Sequence, residues 1–211
     1  MSVNSIEHIF ESYYNKGRNL RSVALKNYTS GDGKHEGLEK VFKEAITISL
    51  KSAGIDPSRY EITNDYFIHP EDESATKAKR GDPQRLDWHV FVDGKCVLVL
   101  ESRAWIDKPF YVLKRAVIRN FMTLSWVREQ LHDDVRFVLA GLAIDIKDRL
   151  RETMDETQGF GDRIKEFKFS PYRRGHKGGN YFDHGLNKEK VKEFASFLEE
   201  HFLNFKEETG K

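Results

Sequence analysis

The 211 residues are 38% hydrophobic and 33% charged with a formal net charge of +1, which fits one soluble domain with a real core and leaves any nucleic-acid affinity to local clustering of charge. No apolar run approaches the roughly 18 residues of a membrane span, and the first residues lack the basic-then-apolar order of a secretory signal, so a cytoplasmic protein with no membrane partner is expected. The single cysteine, Cys96, excludes an intramolecular disulfide framework, and its place in an apolar run predicts a buried, inert thiol.

In chain order, a first helix is predicted over about residues 5–15, with Ile6, Ile9, Phe10 and Tyr13 on one face. A second is predicted from about Glu36 to Ala53, its stripe being Leu38, Val41, Phe42, Ala45, Ile46 and Leu50, ended by Gly54 before Asp56-Pro57. Tyr60 to Ile68 reads as a strand, and the charged segment His69 to Gln84 as a loop. Two hairpin strands follow, then a long helix from Pro109 to about Leu131 and an apolar strand from Val135 to Ile144. The stretch to about Gly185 is rich in Gly, Arg and aromatics without a period. A last helix, capped by Asn187, turns Val191, Phe194, Ala195, Leu198 and Phe202 inward. From Glu36 the order is α, β, β, β, α, β, an α/β (α+β) arrangement with a central mixed sheet flanked by helices.

The hairpin from Arg85 to Arg103 holds the chemistry. Its second strand is nearly all apolar from Cys96 to Leu100, as in a strand buried on both faces, and Glu101 follows directly. An uncompensated carboxylate there is costly, so a metal ion or a cation such as Arg103 is expected beside it. Asp87 on the first strand supplies a second acid. Whether the two share a face depends on the turn. A two-residue Asp93-Gly94 turn sets Val92 against Lys95 and sends the acids to opposite faces. A three-residue Val92-Asp93-Gly94 loop, with Gly94 in the left-handed position, sets Phe91 against Lys95 and puts Asp87, Glu101 and Arg103 on one face. Gly before Lys favours the second.

That element order, with Asp on the second strand and Glu-x-Arg closing the third, resembles the core of the PD-(D/E)XK nuclease superfamily, which includes most type II restriction endonucleases. The resemblance covers about residues 36–144. It implies a restriction-endonuclease-like αβββαβ core in a single nuclease domain over residues 1–211, with Asp87 and Glu101 as metal-binding acids and Arg103 where lysine is usual. Leu86 rather than proline precedes Asp87. The resemblance also implies a glutamate on the helix before the first strand. Glu39, which borders the apolar stripe where Glu36 points away, is the nominee, against an ordinary ion pair with Lys43. Asp87 and Glu101 could likewise be a structural ion network with Arg103 or Arg85.

Arginine stays protonated, so Arg103 cannot serve as a general base; its role would be electrostatic, at the phosphate or the attacking water. A Mg²⁺ ion suits oxygen ligands, here Asp87, Glu101 and the backbone carbonyl of Ser102. His89 shares the face of Asp87 and reads as a core histidine. No zinc-ligand spacing, P-loop, dinucleotide or Gly-x-Ser-x-Gly pattern occurs.

Two basic segments could meet DNA: Lys77, Lys79, Arg80 and Arg85 within residues 69–85, and Lys165, Lys168, Arg173, Arg174, His176 and Lys177 with Asn180 within residues 145–186. Read as loops for recognition or dimerisation, they could reach phosphates or base edges. The expectation is therefore a Mg²⁺-dependent type II restriction endonuclease acting on double-stranded DNA, as a homodimer. The competing readings are a structure-specific repair or recombination nuclease, and a non-catalytic DNA-binding module of the same fold.

Overall fold

The computed structural model describes residues 2–19, 37–63, 88–106, 129–144, 163–170 and 185–209, the side chains of 103–106, 142–144 and 207–209 excepted. The predicted loop over 69–84, most of the predicted helix from Pro109 and most of the stretch before Gly185 lie outside them. Within the described residues the chain forms a five-stranded mixed sheet and three α-helices, an α/β fold. The helices are α1 (Ser2–Asn19), α2 (Leu38–Ser52) and α3 (Lys188–Thr209). The strands are β1 (Tyr60–Thr63), β2 (Trp88–Val92), β3 (Lys95–Ile106), β4 (Leu131–Ile144) and β5 (Ile164–Lys168).

The apolar spacing of the helices dictates what they cover. Ile6, Phe10, Tyr13 and Tyr14 on α1, the stripe from Leu38 to Leu50 on α2, and Val191, Phe194, Leu198 and Phe202 on α3 are all buried in one cluster. That cluster includes Val90, Val92, Leu98, Leu100, Val138, Ala140 and Phe167, so all three helices lie on one face of the sheet. Phe169, just beyond β5, joins them, its ring centroid 4.8 Å from Phe10, 5.8 Å from Phe42 and 5.6 Å from Phe194. Its carbonyl accepts from the Tyr14 hydroxyl and from the Asn187 amide ahead of α3. Asn187 caps that helix as expected, accepting the Lys190 amide at 3.2 Å. Glu199 of α3 accepts from Ser2 at 2.7 Å and Ser52 at 2.9 Å, linking the start of α1 to the end of α2; these bonds hold its carboxyl below the usual range.

The strands run in the order β1-β2-β3-β4-β5. The first three are antiparallel, and β4 and β5 run parallel to β3 and to each other. β4 begins at Leu131, four residues before the predicted start at Val135 and at the residue where the long helix was expected to end. β5 was not anticipated at all. Its buried residues, Ile164 and Phe167, stand three apart, an interval with no strand alternation to read.

The hairpin turn corrects the sequence reading. Val92 faces Lys95 across a two-residue Asp93-Gly94 turn, with φ of +49° at Asp93 and +78° at Gly94, as a type I′ turn requires. Arg59 grips Asp93 through two hydrogen bonds of 3.0 and 2.6 Å and accepts its amide at 2.8 Å, which fastens the turn to the start of β1. The three-residue loop is therefore absent. The parity of Glu101 changes all the same, because the ladder slips further along the hairpin. Phe91 faces Cys96 but Val90 faces Leu98, so Val97 is an extra residue in β3. Beyond that bulge His89 faces Val99 and Trp88 faces Leu100.

The bulge is held from outside the sheet. The Val97 carbonyl lies 2.9 Å from Nε2 of His201 on α3, and since a carbonyl only accepts, Nε2 carries the proton. Burial lowers the His201 pKa from 6.5 to about 4; the bond to Val97 and nearby Asp134 oppose the shift, and Arg136 and His132 add to it. At neutral pH the ring is a neutral donor.

Two outcomes follow from this geometry. An ideal Cβ on Gly94 meets nothing within 4 Å, so Gly94→Val should cost only its left-handed backbone, about 1–2 kcal/mol in urea unfolding, and Gly94→Asn distinctly less. For His201, the unfolded ring titrates near 6.5 and the folded one near 4, so the unfolded chain binds more protons between those values. Its contribution is complete above pH 6.5 and is lost as pH falls towards 4, on the order of 2 kcal/mol, and the comparison of wild type with His201→Gln in pH-dependent unfolding should show it.

Candidate functional site

Strand alternation after the bulge assigns the faces. Leu98 and Leu100 belong to the core under the helices, so Val99 and Glu101 point to the other side. His89 stands opposite Val99 and shares that side. Glu101 is 2% exposed and His89 fully buried, two polar side chains on the face that none of the three helices covers. Ser102, also buried, turns its side chain to the helix face.

The register across β3, β4 and β5 adds neighbours that the sequence reading missed. Glu101 faces Leu139, which faces Glu166; Arg103 faces Gly141, which faces Lys168. Glu101 and Glu166 thus lie in one cross-strand row on the same face, about 10 Å apart at Cα. Lys168 follows in the next such row, with the Arg103 backbone on β3. The signal that would have found Glu166 and Lys168 is the strand β5 itself. Lys165 and Lys168, assigned to a basic loop, are strand residues, on opposite faces of β5.

Glu39 sits in the first turn of α2, and its carbonyl accepts the Trp88 indole N–H at 3.2 Å. Trp88 faces Leu100, so the start of α2 reaches the part of β3 that carries Glu101, but from the opposite face. Lys43 places its ammonium 5.1 Å from the centroid of the same indole. Of the remaining predicted residues, the Arg103 backbone is paired in β3 while its side chain lies outside the described part. Asp87, Lys77, Lys79, Arg80, Arg85, Arg173, Arg174, His176, Lys177 and Asn180 lie outside the described residues altogether.

Oxygen donors dominate what is described. Glu101 and the Ser102 carbonyl suit a hard cation such as Mg²⁺ rather than a soft metal. Among the described residues no three His, Cys, Asp or Glu side chains are grouped closely enough to hold a metal ion. Cys96 takes no part in nucleophilic chemistry: it is fully buried, and burial pushes its thiol far above the ordinary range. Among the described residues no helix is long and apolar enough to cross a membrane.

No protein-family model, curated protein or solved structure matches this chain.

The state of Cys96 is open to direct measurement. A thiol reagent such as an aromatic disulfide should leave the folded protein unmodified over hours and label one equivalent at once in denaturant; rapid labelling of the native protein would mean that β3 opens.

Proposed function

We propose that this protein is a Mg²⁺-dependent endonuclease that hydrolyses phosphodiester bonds in double-stranded DNA, of the type II restriction kind, working as a homodimer. The observation that carries the reading is Glu101: a buried carboxylate that follows the apolar run of the central strand, on the face opposite the three described helices, with Arg103 two residues on. The chain places a second acid, Asp87, directly before Trp88, whose partner Leu100 directly precedes Glu101. Two carboxylates so placed along adjoining strands are a common origin of divalent-cation sites. The order α2, β1, β2, β3 and then the parallel β4 supports the reading, because it agrees with the αβββαβ core of the PD-(D/E)XK superfamily as far as the described residues go.

In this reading Asp87, Glu101 and the Ser102 carbonyl hold the ion, which when bound supplies Lewis-acid polarisation of the phosphate and a more acidic water. Arg103 contributes positive charge to the phosphate as negative charge builds on it. It takes no proton, so the proton of the attacking water leaves to solvent or to a phosphate oxygen. Glu39 is a weaker member of this set, since α2 approaches from the other face. The basic residues of segments 69–85 and 145–186 are assigned to the DNA, with phosphate contacts giving affinity and base contacts specificity.

The test is digestion of long natural DNA in Mg²⁺. Wild type should give discrete fragments, and Asp87→Ala and Glu101→Ala should each lower cleavage by more than about a hundredfold while leaving the fold intact by circular dichroism. Cleavage without banding would favour a structure-specific nuclease. Binding without cleavage in Mg²⁺ or Mn²⁺ would favour a non-catalytic module.

A further inference from the structure

β3 has apolar side chains facing both ways: Val97, Leu98, Val99 and Leu100 are all buried. From Val97 to Leu100 a slip by one residue exchanges one apolar side chain for another on each face, so the hydrophobic pattern of this stretch does not choose between the bulged pairing and a regular one. The regular pairing is defined by the turn. Continuing from Val92 opposite Lys95 without a bulge, Val90 would face Val97 and Trp88 would face Val99. Glu101 would then share the side of Trp88, under the helices. One contact distinguishes the two pairings from outside the sheet, the 2.9 Å bond between His201 and the carbonyl of the extra residue.

We propose that His201 is a positioning residue, whose Nε2–H holds Val97 in the bulge and so keeps Glu101 on the face away from the helices. The donor comes from α3, anchored in the core by Leu198, Phe202 and Phe205, so it sits at a fixed height over β3. The ring is itself constrained, stacked parallel to Phe197 at 6.0 Å and tilted against Phe202 at 5.4 Å. A buried carbonyl left without its donor loses a hydrogen bond and keeps its desolvation cost, enough to shift a near-balanced register by roughly tenfold or more. The consequence for cleavage rests on the endonuclease reading above; the control of register does not.

The experiment compares wild type with His201→Leu and His201→Gln, reading cross-strand NOEs in the assigned NMR spectrum and DNA cleavage side by side. Glutamine presents an amide donor at nearly the reach of Nε2, and leucine presents none. Wild type and His201→Gln should show the Val90–Leu98 and Trp88–Leu100 pairs. His201→Leu should weaken them, add Val90–Val97 and Trp88–Val99, and lower cleavage by roughly tenfold or more. Unchanged pairing in His201→Leu would overturn the proposal. So would a shifted register in His201→Gln, which also serves if the leucine variant does not fold. Shifted pairing with full cleavage would sever the link from bulge to site. A wild type that shifts as expected on substitution but cuts no DNA would leave the positioning of Glu101 standing and sink the nuclease reading instead.

Discussion

The central strand β3 is paired on both edges and buried on both faces, and every other part of this structure is arranged around that constraint. Its backbone groups are satisfied by β2 on one side and β4 on the other, and each described side chain from Cys96 to Ser102 is buried. Such a strand tolerates apolar residues anywhere but polar ones only with compensation. Glu101 and Ser102 are therefore the informative positions. They appear where the strand leaves its apolar run, one turned to each face, and the carboxylate goes to the side without the helices.

The helix side is closed by aromatic packing. Phe10, Phe42, Phe167, Phe169 and Phe194 come from four separate places in the chain, and each has a ring centroid of another within 4.8 to 5.5 Å. Pairs of this kind add about 0.5–1.5 kcal/mol each beyond the area they bury. Phe169 also lends its carbonyl to α1 and to the residue that caps α3, so one residue after β5 sets two helices. The exposed pairs of Glu11 with Lys188 and Glu7 with Lys192 tie α1 to α3 more weakly, since solvent screens them. Surface charge decorates this arrangement; shape and burial decide it.

The functional reading gains its meaning from this asymmetry. Three helices occupy one face, and His89, Glu101, Glu166 and Lys168 share the other, while Ser102 and Lys165 turn to the helix side. A buried acid, a second acid two strands away and a lysine in the next row form a polar floor on that side. The same floor would serve catalysis or anchor a structural network.

Much of this could be read from residue order. The three helices follow from their apolar stripes, with Asn187 and Gly54 marking ends, and β2, β3 and β4 follow from runs that are β-branched or apolar. β5 could not be read, because Ile164 and Phe167 face opposite sides of the sheet at a spacing that fits no strand pattern. The turn was misread for a related reason. Both loop types suit Asp93-Gly94, Gly before Lys favours the longer one, and the parity drawn from either assumes that a hairpin keeps one register throughout. The protein uses the tight turn and restores parity with Val97. The apolar pattern along the chain thus determined which residues are core and which acid follows the central strand's apolar run, since those depend on local sequence alone. The face to which Glu101 turns was decided only in three dimensions, by an extra residue in one strand and by a histidine 104 positions away that donates to it.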